Sequence, residues 1–160
     1  MRLISVRYLI LLLVLLITMF MVSSCNRASF GEIESDFSNA VSGFGGKSVI
    51  FKPLAGGECP REVIVLFGRD GVPPDELSLI KHSQIWYSER PSGGDAAVFY
   101  AVNATDTPSI AKMCERRART LKYSAGIEAE IFTHGHFVVF INCQGEYAGI
   151  RERLVEELGG

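Results

Sequence analysis

The chain has no excess of positive charge: 16 lysines and arginines are set against 18 aspartates and glutamates, a formal net charge of −2. A general nucleic-acid binder neutralises phosphates with a clear basic surplus, so nucleic acid is not an expected partner. Beyond residue 25 there is no Ser nucleophile elbow, no phosphate-cradling GxxxxGK, no dinucleotide GxGxxG and no paired His-Glu metal motif. Gly43-Phe44-Gly45-Gly46 and Gly56-Gly57 lack the strand-loop-helix context with lysine that phosphate binding demands. The apolar run Leu9 to Val22 falls short of the roughly 20 residues a helix needs to cross a bilayer. What remains, 160 residues of which 48% are hydrophobic, is enough for one ordinary domain and too ordered in composition for a disordered chain.

The apolar run has the layout of an export signal. Arg2 and Arg7 precede it, Thr18 is its one polar side chain, and small Ser23 and Ser24 follow. The tetrapeptide Val22-Ser23-Ser24-Cys25 resembles the lipobox of bacterial lipoproteins: an aliphatic residue, two small residues, then cysteine. The resemblance implies that the Cys25 thiol receives a diacylglyceryl group, that cleavage falls between Ser24 and Cys25, and that Cys25 becomes the mature N-terminus. Two acyl chains are what stable anchoring takes. An uncleaved anchor and an ordinary secretory signal are the competing readings, and Asn26 gives no clear sorting signal. On the lipobox reading the chain divides into a signal peptide (1–24), a lipidated cysteine with a short tether (25–29) and one extracytoplasmic domain (30–160). Losing Arg2 and Arg7 leaves 14 basic against 18 acidic residues, a net of −4. Membrane lipid is then the expected partner and the outer face of the cell membrane the expected location.

Lipidation of Cys25 leaves Cys59, Cys114 and Cys143, so at most one disulfide is expected within a monomer. Cys114 falls on the apolar stripe of a predicted helix and Cys143 ends a predicted strand, which makes both small buried residues. Cys59, in the loop Gly56-Gly57-Glu58-Cys59-Pro60, is the most exposed on this reading, yet the sequence places no base beside it.

Phe30, Ile33, Phe37, Ala40, Val41 and Phe44 recur at three- and four-residue steps, an amphipathic helix that Gly43, Gly45 and Gly46 end. Its polar side is acidic, which favours packing on the domain over lying on lipid. Val49 to Phe51 is short and β-prone. The β-branched run Val63 to Phe67 reads as a strand, while Pro60, Glu62 and Gly68 at its flanks read as a helix. A short helix is expected from Pro73 to about Lys81. Strands are expected at His82 to Glu89 and Ala96 to Asn103, joined by Pro91-Ser92-Gly93-Gly94. Ile110, Met113, Cys114, Ala118 and Leu121 then trace one helical face, with Asp106 or Thr107 as cap. A second hairpin follows, Ile127 to Thr133 and His136 to Asn142, closed by His134-Gly135. Ile150, Leu154, Val155 and Leu158 mark a last helix. The order ββα-ββα predicts an α+β two-layer sandwich: a mainly antiparallel four-stranded sheet with helices packed on it.

Several runs together resemble an uncharacterised domain-of-unknown-function family of small lipoproteins from Gram-positive, clostridial-type bacteria. They are Leu66-Phe67-Gly68-Arg69-Asp70, Ile85 to Ser88, Asp95-Ala96-Ala97-Val98-Phe99-Tyr100, Arg116-Arg117 and Gly135-His136-Phe137-Val138-Val139-Phe140, within about Glu62 to Asn142. The resemblance implies location and fold, favours a helix over Pro60 to Gly68, and carries no assigned activity.

The dense basic cluster is Arg116, Arg117, Arg119 and Lys122. Arg116, Arg119 and Lys122 are the candidate contacts to a ligand, an envelope protein or an anionic polymer. His134 and His136 are weak candidate metal ligands, since two imidazoles alone do not make a site. Trp86 and Tyr87, adjacent in a strand, point to opposite faces. The expectation is a non-catalytic binding module at the envelope, needing no cofactor. Its alternative is an extracytoplasmic enzyme or metal-handling protein built from Cys59, His82, His134 and His136.

Overall fold

The structure, a computed structural model, describes residues 30–51, 63, 66–67 and 72–158. Helix α1 is Phe30–Val41, β1 is Gly46–Phe51, α2 is Pro74–Leu77, β2 is Ile80–Ser88 and β3 is Asp95–Ala101. Then come α3, Thr107–Ala125, the strands β4, Glu130–His134, and β5, Phe137–Ile141, and finally α4, Gly149–Leu158. Val63, Leu66 and Phe67 are helical and buried, which agrees with the helical of the two readings of that run. The expected signal segment, Ser24, Cys25, Cys59 and the Gly56-Gly57 loop lie outside the described residues. Among those described, no helix is long and apolar enough to cross a membrane.

Local chemistry explains most boundaries. Helix α1 buries Ile33, Phe37, Ala40 and Val41, the three- and four-residue spacing of its apolar stripe. In the second hairpin His134 pairs with Phe137, so Gly135-His136 forms the turn, one residue later than expected. Gly135 takes φ +56° at the first turn position, which a two-residue hairpin turn of this type reserves for glycine. Strand β4 starts at Glu130, not Ile127; β2 starts earlier than expected, at Ile80. Asp106 precedes α3 without capping it. Its carboxylate instead accepts from the Asn103 backbone N–H at 3.1 Å and from Asn103 Nδ2 at 3.0 Å, closing the turn that leads in.

The sheet has five strands in the order β1-β2-β3-β5-β4, every pairing antiparallel. The expected four-stranded sheet is therefore one strand short. Gly46–Phe51 adds a full edge strand, and the ββα-ββα order is embedded in a longer chain path that begins α-β-α. The two-layer expectation is also corrected. Side chains alternate across a strand, so β3 sends Ala97, Phe99 and Ala101 to one side and Ala96, Val98 and Tyr100 to the other. The first set joins Ile85, Val138 and Phe140 beneath Ile110, Met113, Cys114 and Leu121 of α3, together with Val63, Leu66, Phe67 and Leu77. The second joins Trp86, Phe137, Val139 and Ile141 beneath Ile33, Phe37 and Ala40 of α1 and Ile150, Leu154 and Leu158 of α4. Helices cover both faces, which makes three layers.

Both cores are rich in aromatic side chains. Trp86, Phe37, Phe67, Phe99 and Phe140 are among the largest fully buried side chains, and burial of one such side chain stabilises by about 1.5–3 kcal/mol. Trp86 and Tyr87 do point to opposite faces. Trp86 lies against Gly46, where an added Cβ would land inside the indole ring, so glycine is what lets β1 approach β2 there. Buried Gln84 links layers: its Nε2 donates to Ser38 Oγ of α1 at 2.9 Å and to Ser48 Oγ of β1 at 3.0 Å.

Candidate functional site

The apolar stripe of α3 fixes which of its polar residues face out. With Ile110, Met113, Cys114 and Leu121 against the sheet, Lys112, Glu115, Arg119, Lys122 and Tyr123 are left exposed. The three candidate basic residues then separate in role. The half-buried Arg116 pairs through a guanidinium nitrogen with Glu76, clamping α2 to α3. Lys122 reaches Glu128 at 3.1 Å in an exposed pair of the kind worth about 1 kcal/mol at most. Arg119 makes no ion pair with any described residue. It lies between two open depressions of about 550 and about 310 Å³. The first is lined by Arg116, Arg119, Thr120, Tyr123 and Ser124, the second by Ala118, Arg119, Lys122, Glu128 and Ala129.

Tyr123 stands one turn beyond Arg119, and at 90% exposure it is the most exposed of the large hydrophobic side chains among the described residues. Amphipathic side chains left in water beside an arginine are what interface anchors are made of. The hydroxyls of Thr120 and Ser124 donate back to the carbonyls of Arg116 and Thr120, four residues earlier, so they line the depression without projecting into it. The sequence pointed to the basic residues and passed over Tyr123. Its signal was available: an aromatic residue on the polar side of an amphipathic helix.

A second cluster lies where β3 meets the end of β5. Asn142 Oδ1 accepts the backbone N–H of Asp95, and the Cys143 thiol donates to the Asp95 carbonyl at 3.5 Å. Burial pushes the Asp95 carboxyl up from the usual carboxylate range, against the opposing pull of a hydrogen bond from Asn142 and the charge of Arg117. Burial, then the nearby Asp95 charge, pushes the Cys143 thiol up to about 12. Burial raises the Cys114 thiol as well. A thiol held protonated is a poor nucleophile, so neither cysteine is armed for covalent catalysis. Both are free, and they form no disulfide with each other. Beside Cys143 a cleft of about 600 Å³ is bordered by Glu128, Glu130, Arg151 and Glu152, with Arg151 paired to Glu130.

The histidines occupy a third region. Cross-strand pairing puts His82, Tyr100, Phe137 and His134 in one transverse row over β2, β3, β5 and β4. Phe30 stacks on His82 at 4.7 Å between ring centroids, and His136 stacks on Tyr100 at 5.6 Å. Strands spaced about 4.8 Å apart put the ends of this row roughly 14 Å from each other, far beyond the ~2 Å bonds of a shared metal ion. Among the described residues, no group of three His, Cys, Asp or Glu side chains could hold a metal. The structure thus brings His82, His134 and His136 to one end of the sheet without making them a ligand set. No protein-family model, curated protein or solved structure matches the chain.

Proposed function

We propose that this chain is a membrane-anchored bacterial lipoprotein, akin to the clostridial-type family it resembles, whose α+β domain binds an anionic protein or polymer of the cell envelope. The carrying observation is the outer surface of α3. Arg119, free of ion pairs with described residues, and the exposed Tyr123 flank an open depression on the layer opposite α1, the helix nearest Cys25 in sequence. A rise of 1.5 Å per residue puts Arg119 about 18 Å along the helix from Thr107. Thr107 itself donates to the carbonyl of Gly135 at 3.2 Å, at the same end of the sheet as Phe30. A patch so placed faces the space beyond the membrane and suits a partner there better than the lipid beneath.

The non-catalytic reading rests on the same chemistry: the described thiols are held protonated, and His82 and His134 stand at opposite ends of the cross-strand row, with His136 stacked on Tyr100. Two experiments test the proposal. Labelled fatty acid should enter the protein in growing bacteria and fail to enter Cys25→Ala; equal labelling of both overturns the anchor. A photoreactive residue replacing Tyr123 should crosslink to an envelope component, and Arg119→Glu should abolish that adduct. An adduct insensitive to Arg119→Glu, or none at all, overturns the proposed binding face.

A further inference from the structure

We infer that β4, the edge strand beyond β5, pairs antiparallel with the β4 of a second copy of this chain, so that two five-stranded sheets continue as one. The inference goes beyond the envelope-binding reading and does not depend on the anchor.

The ladder fixes which backbone groups this edge leaves free. The His136 carbonyl accepts from the Ala101 N–H, and the Asn142 N–H donates to the Asp95 carbonyl, each at 2.9 Å, so both turn toward β3. Backbone groups alternate sides along a strand, which turns Val138 and Phe140 to β3 as well, and Phe137, Val139 and Ile141 to β4. The register partners of these last three, His134, Phe132 and Glu130, therefore hold the hairpin together. Ile131 and Thr133, between them, aim their N–H and C=O off the edge. No described residue pairs with those groups.

The side chains identify the occupant. Glu130-Ile131-Phe132-Thr133-His134 is complementary to itself when reversed. Antiparallel pairing centred on Phe132 sets Glu130 against the second copy's His134 at both ends, and Ile131 against its Thr133. A carboxylate only accepts and an imidazole carries an N–H in either protonation state, so each end gains a donor and acceptor pair. Facing Ile131 and Thr133 exchange both of their free backbone hydrogen bonds. Phe132 meets its counterpart at the axis as a non-hydrogen-bonded pair, where Cα atoms approach to about 4.5 Å and side chains interact most closely. Phe132 packs on the core under α1 and α4 and Ile131 on the core under α3, each only half-buried, so the pairing covers what the single copy leaves open on both faces.

The neighbouring charges agree with this register. Glu128 is paired with Lys122 and Glu130 with Arg151 inside the chain, and Glu152 borders the same acidic end of the strand. Reversal sets that end against the imidazole end of the other copy, so acid does not face acid. The opposite edge is different. Strand β1 has one charge, Lys47, which self-pairing about its centre would set against Ile50 or Phe51. Lysine, proline and bulges are how edge strands are kept single. Strand β4 has no lysine or proline, and its register with β5 is unbroken.

The test uses the full chain in mild detergent. Phe132→Cys, oxidised gently with diamide, should give a disulfide joining position 132 to itself, read by mass spectrometry of the linked peptide. Adding Thr133→Pro removes an N–H that β5 does not use, a change an edge strand accepts. It deletes one inter-copy hydrogen bond from each chain, so below the dimerisation midpoint the yield of the link should fall roughly thirtyfold. In the unaltered chain, hydrogen exchange of the Ile131 and Thr133 amides should slow as protein concentration rises, while that of Phe132 stays constant. No link at position 132, or a link that Thr133→Pro leaves unchanged, overturns the inference. So does exchange at Ile131 and Thr133 that is independent of concentration. Protection of these amides only on adding cell extract overturns it too, because another protein then occupies the edge.

Discussion

The two faces of the sheet are covered in different ways. On one, the long helix α3 lies over β3, β5 and β4, is held to α2 by the Arg116–Glu76 pair, and shares the core with helical Val63, Leu66 and Phe67. On the other, α1 and α4 pack side by side over Trp86, Val98 and Val139. The first face turns a charged, aromatic surface outward; the second carries α1 and α4 and gathers the histidine row at its end. A sheet covered on both faces buries its strands from both sides and leaves the outer surfaces of the helices as the surfaces open to solvent.

The sharpest way to break the comparison is to hollow each face separately. Phe99→Ala, which removes a fully buried ring 5.3 Å from Phe67, and Phe37→Ala, which removes the centre of the α1 stripe, should each cost about 3–5 kcal/mol in urea unfolding. If the faces are one cooperative unit, both variants unfold in a single transition; separate transitions would show two units.

Thiol chemistry sharpens this further, because Cys114 reports on the α3 face and Cys143 on the α4 face. A thiol raised to about 12 should be alkylated roughly a thousandfold more slowly than a free one near pH 8. Mass spectrometry should find Cys143 modified before Cys114, since Cys114 is fully buried and Cys143 only partly. The reverse order would mean that α3 opens first.

Gly46→Ala tests the junction of β1 with the α1 and α4 face. Trp86 must move to admit the methyl group, and overpacking of this kind costs about 1–3 kcal/mol by chemical denaturation.

The smallest expected effect is at Asp95. Its folded-state pKa is raised chiefly by burial, so the ionised carboxylate opposes folding above that pKa, and the penalty disappears as pH falls below the unfolded value of 3.8. Asp95→Asn should raise Tm near pH 7 and lose its advantage at about pH 3. An Asn variant less stable than wild type at neutral pH would show that the Asn142 hydrogen bond and the Arg117 charge together outweigh burial.

Much of the architecture was legible in the residues because it is local. The periods of α1, α3 and α4, the two hairpins and the burial of Cys114 follow from spacing along a few turns or strand residues. The fifth strand was legible only at Val49 to Phe51, because β1 is an edge: Gly46, Lys47 and Ser48 are exposed and show no alternation to read. The third layer did leave a signal. Strand β5, Phe137-Val138-Val139-Phe140-Ile141, is apolar at every position, as a strand buried on both faces must be.

The candidate surfaces divide the same way. Arg116, Arg119 and Lys122 were recognisable from their helical spacing, yet only the fold pairs Arg116 with Glu76 and Lys122 with Glu128 and leaves Arg119 open beside Tyr123. The row of His82, Tyr100, Phe137 and His134 draws on four strands, and its alignment depends on the register of three pairings and on the irregularity between Ile80 and His82. The sequence by itself determined most of the elements and their amphipathic faces, since those depend on neighbours within a few positions. The tertiary structure alone decided which side of the sheet each helix covers and which distant side chains meet, because a one-residue change of register would turn every side chain of a strand to the other face.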